Sequence, residues 1–524
     1  MAAPDESVVS KDEMRRFMVD CMTTAGASES HATQLALVLL EGDIRGHYSH
    51  GLNRLDMYVR DVQQKVCKGD GEPVILKEKA GTAWVDGNNL LGPVVGNFCM
   101  DLAIKKAKDA GIGWVVAKGS NHYGIAGWYA LRAMKQGMLG MSMTNTSPIS
   151  YPTRSAVPAL GTNPISLAAP GTGDDAFVLD MASTTVAIGK VELAARKENP
   201  VPLSWGVGAG GKETTDPSHV LNGGGLLPLG GVEVSGGYKG YGLSSMIEIF
   251  CGILAGAHWG PHVRKWMSTS AEADLGQCFV AIDPEAFAPG FAERLQDFMQ
   301  TMRALPTSSP SFKVEVAGDM ERRHELLVND LGGIPYHKNQ IAFVNDLASK
   351  LGVKPVALFA SIVVATIILI SEISLAVFEY IHCRLDGNPL SAVFAGIFTV
   401  HSVFTTFYII GAFRLIECFM VPWLTLQLIF LTTFALFVIV WWIATLLSIF
   451  NLVQYYHTTS DQGLTNAEFF VLTGVILTIV LVVSIKLSHI LYRGFVTVRN
   501  QNLARYRITE AIQRKDSVLK PSYV

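Results

Sequence analysis

The chain has 524 residues, with 42 Lys and Arg against 45 Asp and Glu for a net charge of −3. That balance lacks a polyanion footprint and argues against nucleic acid as a partner. The length exceeds what one core organises and implies several domains. Seven cysteines lie far apart with no CxxC pair, which argues against a disulfide framework or a zinc site and fits a reducing compartment.

In chain order, residues 11–66 read as helical. Ser10 precedes the first apolar run with Glu13 three residues on, the spacing of a capping box. The opening "MAAPDESVVSKDEMRRFMVDCMTTAG" lacks the positive-then-apolar order of a secretory signal. The stretch from Gly81 to Ser120 reads as a strand, a Gly-rich turn, a helix and a buried strand. Short apolar stretches separated by glycines follow. A helix is expected at 240–256, a strand at "CFVAIDP" and a helix at "FAERLQDFMQTMRAL". The mixture predicts an α/β or α+β domain. Beyond Lys354 come four apolar segments, about 355–378, 390–413, 422–446 and 469–491, each near the ~20 residues that span hydrocarbon. Lys350, Lys354 and Arg414 flank these segments. The tail 492–524 is basic (Arg493, Arg499, Arg505, Arg507, Arg514, Lys515, Lys520), whereas "NLVQYYHTTSDQGLTNAE" has no Lys or Arg. The expected arrangement is a multi-pass, all-α membrane domain with both ends cytosolic.

Three stretches carry candidate chemistry. In "EGDIRGHYSHGLNRLDMY", beside His47 and Ser49, His50 carries an imidazole, a group that ordinarily titrates near neutrality and so suits proton exchange with a hydroxyl or carbonyl, and Arg54 suits a carboxylate. A helix start with hydrogen-bonded histidines accounts for the same residues. In "AKGSNHYGIAGWYALRAM", His122 stands at the carboxyl end of a predicted strand, with Gly124 allowing close approach; a capped loop histidine is the alternative. In "GGLLPLGGVEVSGGYKGYGLSSMIEIF", a Gly-dense turn leads to Lys239 and a helix start, a place for a phosphate or a plain surface loop. "GVGAGG" matches the spacing GxGxxG, but Glu213 stands where a magnesium-binding hydroxyl belongs and no helix start follows. It reads as a hairpin or loop.

Taken in order, "SHGLNRL", "SNHYGIAGWYA", "GTNPISLAAP", "LDMASTTVAIGK", "GGYKGYGL" and "GGIPYHKNQIAFVNDLASKLGV" resemble the type-2 malate/L-lactate dehydrogenases, a group that includes sulfolactate and ureidoglycolate dehydrogenases. The likeness covers roughly residues 8–354. It implies a homodimeric oxidoreductase with a non-Rossmann fold. The implied chemistry is hydride transfer between NAD or NADP and C2 of a small 2-hydroxy or 2-oxo acid. It places Ser49 and Arg54 at the substrate, with His50 or His122 as acid/base. Ser147, Asp180, Met181, Ala182 and Lys239 fall at cofactor positions, and the Gly318–Glu321 turn is a weaker one. The departures are the missing acidic residue before Trp205, Ala317 in place of proline, and everything after 354.

Within the apolar segments, Glu372, Glu379 and His401 are functional candidates. "YRGF" fits a sorting signal and "PSYV" a terminal-carboxylate groove. Two alternatives to a bilayer-tethered dehydrogenase stay open. One is a membrane trafficking, transport or scaffold protein with an attached or inactive enzyme half. The other is a join of two separate genes.

Overall fold

The computed structural model describes residues 6–196, 198–265, 268–309, 313–356, 360–386, 389–414, 417–455, 471–492, 494–496 and 498–499. Two compact units emerge, one formed chiefly by residues 9–329 and 336–356, the other containing the apolar helices from residue 360 onward.

The first unit opens with helix α1 (Lys11–Thr24), whose first turn is capped by Ser10: its hydroxyl accepts the N–H of Glu13 at 3.2 Å. Met14, Phe17, Met18, Cys21 and Met22 form its buried stripe. Helix α2 (Glu29–Ile44) packs beside it, and two tight turns lead into α3 (Leu55–Gln63).

The centre is a seven-stranded sheet in the order 74–78, 82–86, 112–120, 275–282, 139–144, 165–170, 176–181. Five of its six ladders are antiparallel. The parallel one pairs Thr82–Asp86 with Ile112–Ser120 across helix α4 (Gly92–Ala110). A single parallel pair in a largely antiparallel sheet is unlike the doubly wound parallel sheet of a Rossmann domain. The strand Leu275–Ile282 comes late in sequence yet lies in the middle, and seven of its eight residues are buried. "GVGAGG" forms two short strands, Gly206–Gly208 and Lys212–Glu213, around a tight turn, the hairpin expected.

Helix α5 (Gly127–Met134) sits on the sheet through Tyr129, whose ring stacks on Tyr123 at 4.7 Å and meets Phe279 edge-on. All three rings are essentially inaccessible, each contributing about 1.5–3 kcal/mol of burial. Tyr129 donates to the carbonyl of Tyr123 at 2.6 Å, and the Tyr123 hydroxyl lies 3.0 Å from that of Ser142. Tyr123 is thereby nailed to the core, and so is the backbone of its neighbour His122.

In the second unit, the described helices are Ala360–Asp386, Pro389–Arg414, Glu417–Tyr455 and Val471–Val496. Three of them are long and apolar enough to cross a membrane, at Ser391–Ala412, Cys418–Leu446 and Val471–Val496, where the sequence leads to four. The first expected span corresponds to Ala360–Asp386, which carries Glu372 and Glu379; residues 357–359 lie outside the described residues. Tyr408, Ala412, Met420, Trp423 and Leu491 form a small internal core, while large aliphatic side chains such as Ile370, Leu428 and Ile479 stand exposed. The Lys/Arg-free loop, "YRGF" at Arg493 and the basic tail with "PSYV" fall wholly or partly outside the described residues.

Candidate active site

A cavity of about 350 Å³ opens in the first unit and gathers residues from seven separate stretches of sequence, four of which supply expected site residues. The turns between α2 and α3 supply His47, Ser49, His50 and Arg54. The exit of strand Ile112–Ser120 supplies His122, and the segment after Leu139–Thr144 supplies Ser147. The end of the edge strand Ala176–Met181 supplies Asp180, Met181 and Ala182.

The turn carrying His50 is fixed by a buried carboxylate. Asp43, fully enclosed at the end of α2, accepts the N–H of Leu52 at 2.9 Å and the hydroxyl of Tyr336 at 2.7 Å. Its carboxylate lies so close to Gly51 that a Cβ there would overlap it, so glycine is required after His50. Burial pushes the Asp43 carboxyl up to about 7, against the hydrogen bonds from Tyr336 and Leu52.

His50 and His122 stack face to face, ring centres 5.8 Å apart and 17° from parallel. Nδ1 of His50 is 2.9 Å from the Ser49 hydroxyl. Nδ1 of His122 is 2.5 Å from the Tyr58 hydroxyl and 3.3 Å from the backbone nitrogen of Gly124. The Gly124 N–H only donates, and burial holds Tyr58 protonated by raising its phenol well above the ordinary value. Nδ1 of His122 is therefore an acceptor, and the ring proton of the neutral imidazole sits on Nε2. Gly124 has φ +80°, and a side chain there would run into Val38.

Burial pushes His50 down to about 3, and the charges of Arg54 and His47 add to that. His122 is held well below the ordinary value by burial, then by His50 and Arg54. Both rings are neutral near pH 7. Arg54 donates from Nε to the carbonyl of Ser49 at 2.6 Å. Burial lowers its guanidinium value too, but such a group stays charged in water-accessible conditions.

Asp180, on the lining of the same cavity, accepts the N–H of Gly127 at 2.7 Å, at the first turn of α5, where the helix favours negative charge. Burial nevertheless raises its carboxyl, with His47 opposing. The Ser147 segment is braced by Glu248: this buried carboxylate accepts Asn145 Nδ2 and Asn163 Nδ2 at 2.7 Å each, and Asn163 Oδ1 accepts the N–H of Thr146 at 3.1 Å.

Not every expected residue reaches the cavity. Lys239 sits near the start of helix Gly237–Glu248, its ammonium 5.9 Å from the ring of Tyr238; the lysine that borders the cavity is Lys190. Gly318 lies against Val178 of the edge strand, and Glu321 borders the site through His47, whose Nε2 is 3.5 Å from its carboxylate. Tyr58 and Glu248 escape a reading by motif. Tyr58 is four residues after Arg54 on a helix that was expected, so its position one turn along the same face was available as a signal. Glu248 gave no such signal, because it acts through asparagines distant in sequence.

Comparison with known proteins agrees over this unit. The family model described as malate/L-lactate dehydrogenase matches residues 9–345. The malate dehydrogenase of Pyrococcus horikoshii is 40% identical over 354 residues, covering 66% of this chain and 96% of that protein. The NAD(+)-dependent ureidoglycolate dehydrogenase of Escherichia coli strain K12 is 33% identical over 308 residues, 58% of this chain and 84% of that one. The crystal structure of malate dehydrogenase from Entamoeba histolytica superposes with a TM-score of 0.63 at 31% identity, covering 67% of this chain and 99% of that chain.

Proposed function

The chain belongs to the malate/L-lactate dehydrogenase family, and from that premise we propose that the cavity transfers a hydride between NAD or NADP and C2 of a small malate- or lactate-like acid. The observation that carries the reading is the convergence of two neutral imidazoles and one guanidinium on a single cavity whose other wall is the Asp180–Ala182 strand end. The cavity's donor set suits a nicotinamide cofactor: Ser147, Lys190 and the Asp180–Ala182 segment are the residues to hold it. When bound, that group supplies the hydride acceptor or donor.

The chain's own residues do the rest. Arg54 binds the substrate carboxylate and fixes C2. His122, with its proton on Nε2, donates a hydrogen bond to the C2 oxygen; Tyr58 and the Gly124 amide keep it in that tautomer. His50 takes the hydroxyl proton during oxidation, with Ser49 as the partner of its Nδ1. The test is turnover by the purified full chain with NADH or NADPH and a panel of 2-oxo acids. Turnover lost in His50→Ala or His122→Ala supports the reading; none across the panel overturns it.

Two further elements belong to this reading. The apolar helices act as a four-span anchor that holds the enzyme at a membrane's cytosolic face. Support comes from three helices of spanning length and their exposed aliphatic surface. Membrane pelleting of an epitope-tagged chain that resists alkaline extraction, with one band at full-chain mass, is the expected result; a shorter soluble band overturns it. The dehydrogenase unit forms a homodimer. Support comes from Tyr238, Tyr241, Ile249 and Ile253, exposed at helical spacing along Gly237–Glu248 and the π-turn that continues it. Ile249→Asp with Ile253→Asp should give monomers in light scattering, and an unchanged mass places any dimer elsewhere.

A further inference from the structure

The apolar unit contains a buried polar cluster built from three helices. Glu372, on Ala360–Asp386, is 7% exposed. One carboxylate oxygen lies 2.5 Å from Nδ1 of His401 on Pro389–Arg414. The other lies 2.8 Å from the hydroxyl of Thr405, one turn further along that helix. Trp423, on Glu417–Tyr455 and fully buried, donates its indole N–H to the same hydroxyl at 2.8 Å and meets the His401 ring edge-on at 6.1 Å. Phe430 closes on His401 from the same helix, and Tyr408 lies 5.2 Å from Trp423. Among the described residues no other titratable group hydrogen-bonds or ion-pairs with the Glu372–His401 contact.

We propose that Glu372 and His401 form an exchangeable-proton site inside the apolar helices, whose state Thr405 passes to Trp423. This rests on the reading of those helices as a bilayer-embedded unit.

With one proton between carboxylate and neutral imidazole the pair is neutral overall. Without it, an anion stands among Ile, Phe and Trp side chains, which is costly. The bound species is a proton from solution, which forms an O–H or N–H bond within the contact; no other bond breaks and no electron moves.

Transmission follows from the Thr405 hydroxyl, which has one hydrogen and two acceptors in reach: the Glu372 carboxylate at 2.8 Å and the carbonyl of His401 at 3.1 Å. A carboxylate draws that hydrogen. Once the proton sits in the contact between the other carboxylate oxygen and Nδ1 of His401, the oxygen facing Thr405 carries less negative charge and holds that hydrogen less strongly, so the hydroxyl turns toward the carbonyl while still accepting from Trp423. The third helix therefore senses the protonation of the first.

The test uses the full chain in lipid discs, with tryptophan fluorescence and dye-reported proton uptake followed across about pH 5 to 8. The expected result is one more proton taken up by the parent than by Glu372→Gln or His401→Gln, accompanied by a fluorescence step that Trp423→Phe removes. The two Gln variants should lose both that extra proton and the step. Thr405→Val should keep the uptake and lose the fluorescence step, and Thr405→Ser should keep both. If the Gln variants do not assemble, the Thr405 pair decides the matter. A pH-independent parent signal, or uptake unchanged in Glu372→Gln and His401→Gln, overturns the site. Failure of the membrane reading is distinct, because it appears as a chain that stays soluble without detergent.

Discussion

His122 and His401 are both partly buried imidazoles held through Nδ1, and their surroundings differ in sign. His122 has a phenol and an amide behind it, with a second imidazole and a guanidinium nearby. His401 has a carboxylate in contact. The first setting keeps a ring neutral, and in the reaction we propose its Nε2–H donates to the reacting oxygen. The second lets ring and carboxylate share a proton, a storage arrangement rather than a catalytic one. The same residue type thus serves two chemistries because different neighbours face it.

The comparison breaks most visibly at the cavity. His50→Ala should lower turnover by about 10²- to 10⁴-fold, as removal of a general base does. His122→Ala should lower it by about 10²- to 10³-fold, the loss of one donor to a charge-developing oxygen. A loss below tenfold in either variant refutes that role. Arg54→Ala should weaken 2-oxo acid binding by about 2–5 kcal/mol, the cost of stripping a buried charge pair. The effect should be seen in KM for acids and be absent for a ketone lacking the carboxylate.

Support of the His50 turn comes next. Asp43→Ala leaves the Leu52 amide and the Tyr336 hydroxyl without their acceptor, at about 1–3 kcal/mol. Faster thermal inactivation, with loss of turnover before loss of helicity, is expected.

Acidity sharpens the comparison further. His50 ordinarily titrates near 6.5 and here near 3, so below pH 6.5 the unfolded chain binds a proton that the folded one does not. Its contribution to stability is therefore present above 6.5 and is lost as pH falls toward 3. Asp43 has the opposite sign: ordinarily near 3.8 and here about 7, it costs stability as pH rises through that window. Unfolding of His50→Gln should lose part of the stability drop as pH falls from 6.5 toward 3, and that of Asp43→Asn part of the drop as pH rises from 3.8 to about 7. The smallest effect is Ser10→Ala, about 1 kcal/mol for one helix cap, read as a small drop in the thermal midpoint.

Much of this was legible locally. The Ser10 cap, the helical character of 11–66, the strand–helix–strand of 81–120 and the hairpin or loop at "GVGAGG" follow from spacing and turn chemistry within a few residues. His122 was expected where a strand ends and is found there. The central position of Leu275–Ile282 was not legible, since its ladders join residues more than a hundred positions apart. Nor was the choice of Lys190 over Lys239 at the cavity, because both stand in the first turn of a helix and only the folded path decides which is near.

The sequence by itself determined the composition break near Lys354, the periodicities, and six ordered motifs that bring Ser49, His50, Arg54 and His122 under suspicion. These are short-range signals, carried by residues within a turn or a strand of one another. Tertiary structure alone decided that His50 stacks on His122, that Tyr58 and Gly124 set a tautomer, and that Glu372 finds His401 on another helix. Those relations depend on the meeting of chain segments distant in sequence, and the burial they create sets the charge of each group.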